Sequence, residues 1–264
     1  MTKGKEPPPE RLFVVSTPEE MARAAAGRLW GIARERAATL SRSGKEAPGI
    51  RVALSGGETP RRTFEVLSAE PFRSRFPWDL VPFYQVDERW VPPGDPRSNS
   101  RMLCESLLSR APIRREQFHF VDTGLAGPEE GARRYEDGVR DGFPNPPGGL
   151  PRFDAILLGI GADGHTASLF PGAPLDDGSA WFMATSAAGD PPVRRVTMTM
   201  AAINAAAQVV FLVGGKGKGR VLRDVLSGDP RLPASRVSPV RGKVTFLADA
   251  AAAALALGKD GGRR

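Results

Sequence analysis

Phe153–Gly172 reads FDAILLGIGADGHTASLFPG. The run Phe153–Leu158 is apolar apart from Asp154 and has the length of a strand buried inside a sheet. Gly159, Gly161 and Gly164 then let the backbone turn tightly, and let a ligand approach main-chain N–H groups with no Cβ in the way. Asp163 and His165 are the only acid and the only imidazole in the glycine segment. A strand that ends in a glycine turn and then presents a histidine is the layout of a site at the carboxyl edge of a parallel sheet.

Three readings compete for this stretch. Gly159-x-Gly161-x-x-Gly164 spells a dinucleotide fingerprint, but the acid expected about 20 positions further on, closing the next strand, is missing. The motif also lies past mid-chain, where an N-terminal cofactor domain would not place it. The second reading is a strand-to-helix turn with an incidental histidine. The third is a catalytic histidine loop. G-x-G-x-D-G-H-T-A-S-L-F-P-G resembles the signature of 6-phosphogluconolactonases, in the sugar-phosphate isomerase/deaminase-like superfamily. Glucosamine-6-phosphate deaminases share the D-G-H core, but their continuation is similar to I-A-F-N-E-P; Thr166–Pro171 follows the lactonase version.

Composition narrows the partners. The 264 residues carry 37 Lys+Arg against 30 Asp+Glu, and only seven of the basic residues are lysine. A diffuse arginine excess suits an anionic small substrate. No long basic run and no interleaved stacking aromatics point to nucleic acid. Cys104 is the single cysteine, so no intrachain disulfide can form. With only His119 and His165 besides, a zinc site would have to borrow carboxylates at no recognisable spacing, so neither metal nor cofactor is expected. There is no apolar run of about 18 residues, and the opening MTKGKEPPPE is polar and proline-rich, unlike a signal peptide. These features predict a cytoplasmic protein without a membrane partner, a monomer or weak dimer. Residues 1–10 are expected to be a disordered tail, 11–257 one α/β domain, and 258–264 a flexible end.

Strands are predicted at Leu12–Ser16, Ile50–Leu54, Pro82–Val86, Phe118–Val121, Phe153–Leu158, Trp181–Thr185, Val196–Met200, Val209–Val213 and Lys243–Leu247. Thr17-Pro18-Glu19-Glu20 supplies an N-cap, a proline at the first helical position and a carboxylate at the third, opening a helix to about Leu40 that ends near Gly44. Further helices are predicted from Thr59-Pro60, from Ser98 to about Leu108, over 128–141, over Ala201–Ala206, from the 214–219 turn to about Leu226, and at the alanine-rich C-terminus. Phe143–Pro151 reads as a loop within the domain. Alternation of strands and helices argues a mostly parallel, Rossmann-like α/β sheet with helices on both faces. His119 alternates with two phenylalanines and is expected to be structural or exposed.

Three more stretches carry candidate chemistry. Ser55-Gly56-Gly57-Glu58-Thr59-Pro60, between a strand and a helix, has the makings of a phosphate cradle: exposed N–H groups, hydroxyls and a helix N-terminus. Simple capping explains the same residues equally well. The resemblance favours the cradle, through S-G-G-x-T-P. Asp87-Glu88-Arg89 follows a buried strand, either as a solvated loop start or as another piece of a site; Arg89 suits bidentate phosphate contact. Arg101, in the S-N-x-x-M stretch that the family also shows, is a second contact or a solvent-facing helix residue. Gly214–Gly219 puts Lys216 and Lys218 at a helix start, an anion site or a solvated turn; Lys218 matches the family's G-x-G-K lysine.

The resemblance extends through Arg194–Thr199, placing Arg195 near substrate, and to Leu232-Pro233-Ala234-Ser235. It implies hydrolysis of a sugar-phosphate lactone, 6-phospho-D-glucono-1,5-lactone, with His165 as general base and acid, and Asp163 orienting the loop or the imidazole. Ser55, Gly56, Gly57, Thr59, Arg89 and Lys218 would hold the phosphate, with Arg195, Arg101 and the Gly164 turn as further contacts. The alternatives are a deaminase acting on glucosamine 6-phosphate, a non-catalytic sugar-phosphate sensor, and a covalent mechanism through Ser168 or Cys104, for which no G-x-S-x-G elbow exists.

Overall fold

The computed structural model describes residues 11–43, 49–189 and 192–258. The expected N-terminal tail, the helix end at Gly44, and all of the C-terminal tail except Gly258 lie outside them. Strands β1 (Leu12–Val15), β2 (Val52–Leu54), β3 (Phe83–Gln85), β5 (Phe118–His119), β6 (Ala155–Gly159), β9 (Gln208–Val213) and β10 (Lys243–Asp249) form one sheet in the order β1-β10-β9-β6-β2-β3-β5. Every neighbouring pair in it is parallel.

The central strands show why their sequences run apolar without a break. On β6, Ala155 and Leu157 face one core while Ile156 and Leu158 face the other. On β9, Val210 and Leu212 point one way, and Val209, Phe211 and Val213 the other. Period-two alternation therefore feeds two cores, and neither face tolerates a polar residue. One face packs on α1 (Pro18–Ser43), α2 (Glu58–Leu67) and the helix α4 (Asn99–Leu103), which continues as a π-turn to Leu108. The other packs on α5 (Pro128–Arg140), α7 (Gly219–Leu226) and α8 (Ala250–Ala256). Short helices α3 (Phe72–Arg75) and α6 (Met200–Asn204) complete the set.

α1 starts where its caps require. The Glu20 N–H donates to Thr17 Oγ1 at 3.1 Å, and Ser16 N–H donates to Glu20 Oε2 at 2.8 Å.

The second sheet corrects the sequence reading. Asp87–Arg89 is a strand, β4, and the strand expected at Val196–Met200 instead runs Val193–Met198, because Thr199 caps the helix that starts at Met200. β4, β8 (Val193–Met198) and β7 (Phe182–Ala188) form an antiparallel sheet in the order β4-β8-β7. Asp87 and Glu88 are buried rather than solvated.

His119 is structural, as its alternation implied. Phe118 and Phe120 stack on each other, while the imidazole stacks on Tyr84 at 4.4 Å and 7°. Burial pushes the His119 pKa below its ordinary 6.5, Arg115 adds to the shift, and Asp141 opposes it. The folded state thus favours the neutral ring. That contribution is complete above 6.5 and is lost as pH falls through the lower folded value. Urea unfolding midpoints measured from pH 8 to 5 are expected to fall with decreasing pH, and His119→Phe is expected to flatten that part of the slope.

Candidate active site

Glycine turns after β2, β6 and β9 meet at the carboxyl edge of the parallel sheet, and the antiparallel β4–β8 pair closes one side. The cleft between them has a volume of about 250 Å³.

At the first turn, Ser55 N–H donates to Leu157 O at 3.1 Å, which holds the loop to β6. Gly57 has φ +111, a conformation that favours glycine, and serves as the N-cap of α2 with no side-chain cap bond. The helix therefore starts at Glu58, one residue earlier than expected, and Thr59 lies in its first turn rather than capping it. Ser55, Gly56, Gly57 and Thr59 all line the cleft.

At the second turn, His165 Nδ1 lies 2.6 Å from Asp163 Oδ1, and the same oxygen accepts the His165 backbone N–H at 3.2 Å. Proximity in sequence gave no assurance of this contact; a tight turn, with Gly161 N–H donating to His165 O at 2.8 Å, produces it. A Cβ on Gly161 would overlap the imidazole, so the ring occupies the space that glycine leaves. Phe170 packs 4.5 Å from the imidazole. Burial pushes the Asp163 carboxyl up, but hydrogen bonds and charge from His165 outweigh it and leave the group below the ordinary carboxylate value. An Asp163 carboxylate facing Nδ1 favours the tautomer with the proton on that nitrogen, which leaves the Nε2 lone pair free.

At the third turn, Gly215 (φ +87) donates its N–H to Asp249 Oδ2 at 2.8 Å, and Lys218 reaches the cleft. Burial draws the Lys218 ammonium down, and Asp163 opposes the shift. Lys216 is exposed and does not line the cleft.

The antiparallel sheet delivers two guanidinium groups. Arg89 of β4 stands directly opposite Arg195 of β8. Arg89 Nη1 donates to Asn99 Oδ1 at 2.6 Å and to Arg97 O at 2.9 Å; Arg195 Nη2 donates to Ala188 O at 3.2 Å. Burial lowers the Arg195 pKa, with Asp87 opposing. Among the described residues Arg89, Arg195 and Lys218 form no ion pair with a carboxylate. Ser55 Oγ, Arg89 Nε and Arg195 Nε are buried without a hydrogen-bond partner among those residues. Such groups cost about 1–3 kcal/mol each when unpaired, so the cleft is built to receive acceptors.

Two candidates fall outside. Arg101 Nε is tied to Glu105 at 2.7 Å and its Nη1 to Gly94 O at 2.9 Å, so it faces away from the cleft. Gly164 (φ +86) is needed for packing: a Cβ there would strike Leu232, and Gly164 O accepts the Ala234 N–H at 3.1 Å. It does not line the cleft. Ser168 is buried and donates to Asp87 Oδ2 at 2.6 Å, while burial raises the Cys104 thiol pKa; neither lines the cleft.

Asp87, from the charge cluster read as a loop start or a piece of a site, lines the cleft, as do Asn99 and Ala167, which were not singled out from the sequence. Asn99 had a signal in the S-N-x-x-M stretch, but nothing local tells that its amide reaches Arg89.

The match to known proteins agrees with this geometry. Residues 16–246 match the family described as glucosamine-6-phosphate isomerases/6-phosphogluconolactonase. The chain belongs to that family. It is 37% identical over 201 residues to a 6-phosphogluconolactonase of Synechocystis sp., covering 75% of this chain and 81% of the relative. It is 38% identical over 205 residues to that of Thermotoga maritima, covering 77% and 86%. The solved structure of the Trypanosoma brucei 6-phosphogluconolactonase superimposes with a TM-score of 0.76 at 29% identity, over 92% of this chain and 97% of that one.

The Asp87-Glu88-Arg89 segment is organised by its middle residue. Glu88 is fully buried, and accepts from Asn99 N at 2.7 Å, Ser100 N and Ser100 Oγ at 2.6 Å, Arg89 N at 2.7 Å and Gln85 Nε2 at 3.0 Å. Glu88→Ala would strand these buried donors. It is expected to lower unfolding free energy by about 3 kcal/mol or more, measured by urea titration.

Proposed function

We propose that this chain is a cytoplasmic 6-phosphogluconolactonase, hydrolysing 6-phospho-D-glucono-1,5-lactone to 6-phospho-D-gluconate in the oxidative pentose phosphate pathway without a cofactor. The observation that carries the reading is one cleft holding an Asp163-paired imidazole together with Arg89, Arg195 and Lys218, none of which forms an ion pair with a carboxylate among the described residues.

In this reading Arg89, Lys218, Ser55, Thr59 and the N–H groups of Gly56 and Gly57 hold the 6-phosphate, which places C1 of the lactone against His165. His165 Nε2 takes a proton from water as its oxygen bonds to C1. The carbonyl oxygen becomes an oxyanion, and the imidazolium is stabilised by Asp163. Arg195 is suited to the oxyanion, because its guanidinium lies 5.3 Å from the Phe170 ring that also packs on the imidazole. Collapse re-forms the carbonyl and breaks the bond from C1 to the ring oxygen, which receives the proton from Nε2.

Proton release on adding fresh lactone tests the reaction against spontaneous hydrolysis. Acceleration is expected for the phosphorylated lactone and far less for plain gluconolactone; absence of both, or amine release from glucosamine 6-phosphate, would overturn the reading. His165→Ala is expected to lower kcat by about 10²–10⁴ with little change in KM. Gly161→Ala, by displacing the imidazole, is expected to reduce kcat by at least about tenfold while phosphate affinity, read by calorimetry with glucose 6-phosphate, stays near wild type.

A further inference from the structure

Asn99 is the joint between the two halves of the anion cradle. It is 1% exposed. Its Nδ2 donates to Asp87 O at 2.8 Å, which fixes the amide plane, and its Oδ1 accepts from Arg89 Nη1 at 2.6 Å. The same amide fills the space beside Gly56, where any Cβ would overlap it. One side chain therefore sets where the guanidinium stands relative to the glycine loop of the cradle. Its own backbone N–H is held by Glu88 at 2.7 Å, so the joint is anchored in the core.

The choice of an amide has an electrostatic consequence. Arg89 directly follows two acids, yet among the described residues neither forms an ion pair with its guanidinium. Asp87 spends an oxygen on the Ser168 hydroxyl, and Glu88 is committed to backbone N–H groups and the side chains of Ser100 and Gln85. The contact that orients Arg89 comes from neutral oxygens, Asn99 Oδ1 and Arg97 O. A neutral acceptor aims a guanidinium and leaves its charge available to a ligand, whereas a carboxylate would aim it and cancel it.

We propose that Asn99 is a positioning residue that determines specificity for the phosphorylated over the unphosphorylated substrate, by aiming Arg89 without neutralising it. The inference rests on the lactonase reading for its substrate, and on the cleft alone for its anion.

Kinetics with the full chain test it. Asn99→Ala is expected to raise KM for 6-phosphogluconolactone about 10- to 100-fold. Its kcat should stay within a few-fold, and kcat/KM for plain gluconolactone should not change. Asn99→Asp keeps the acceptor but adds a charge and loses the Nδ2 donor that bonds Asp87 O, so its KM is expected to rise at least as far and its melting temperature to fall. Asn99→Ser, which lacks the carbonyl that Arg89 Nη1 bonds, should reproduce the KM rise; this variant decides the matter if Asn99→Ala does not fold. An unchanged KM, an equal loss on both lactones, or a wild-type KM in Asn99→Asp would overturn the proposal. Should wild type hydrolyse neither lactone, the lactonase reading fails by itself. Calorimetry with inorganic phosphate then tests Asn99 separately: weaker binding in Asn99→Ala supports the role, and equal binding overturns it.

Discussion

Arg89, Arg195 and Lys218 face one cleft, and among the described residues none is ion-paired with a carboxylate, so they repel one another and much of the surrounding structure serves to hold them there. Arg195 and Arg89 are direct cross-strand neighbours, an unfavourable pairing in a sheet. Asp87 and Glu88 ease it through space, but among the described residues neither bonds a guanidinium. Asp87 is bonded to Ser168, Glu88 to the start of α4, and Asp163 to His165. The fold tolerates this charge at the edge because α2 and the strands β2, β6 and β9 that lead into the turns are anchored in two apolar cores.

The two sheets divide the task. The parallel sheet supplies glycine turns at the ends of β2, β6 and β9, where strand ends point backbone N–H groups outward and a ligand can approach closely. A parallel sheet does not readily place two long side chains face to face at such an edge. The antiparallel β4–β8 pair does so by register, since directly opposed residues project to the same side. Ser168 stitches the two units: its N–H donates to Thr197 Oγ1 at 3.1 Å and its hydroxyl to Asp87, so the histidine loop is tied to the arginine sheet.

The parallel part of this arrangement was legible because burial on both faces writes itself into sequence as unbroken apolar runs. Ala155–Leu158 and Val209–Val213 are of this kind, and Thr17-Pro18 marks a helix start by local chemistry. β4 was not legible. Asp-Glu-Arg has no strand pattern, and its two acids are buried only because Gln85, Ser98, Ser100 and Ser168 arrive from other elements to satisfy them. The same limit separates Arg89 from Arg101. Both are arginines beside a turn, and only tertiary packing decides that one meets Asn99 while the other meets Glu105. Gly164 misled for the opposite reason: its positive φ serves the packing of Leu232, not ligand approach.

The histidine loop is pinned at both ends. Thr166 Oγ1 donates to Gly159 O at 3.0 Å, tying it to β6, and Ser168 ties it to the second sheet. Between these anchors sits Ala167, with φ +50 in the left-handed region that non-glycine residues rarely occupy, and it lines the cleft. Such a conformation costs of order 1 kcal/mol or more and persists only where neighbours over-determine it. Here the two anchors do so. A loop free to relax Ala167 would let His165 drift relative to Arg195 and Lys218, and a substrate gripped by its phosphate would then present its carbonyl to a moving base. Near-attack geometry tolerates errors of only about an ångström. The strain at Ala167 is therefore the local counterpart of the charge held apart at Arg89 and Arg195: each keeps the base and the cations at a set separation before any ligand arrives.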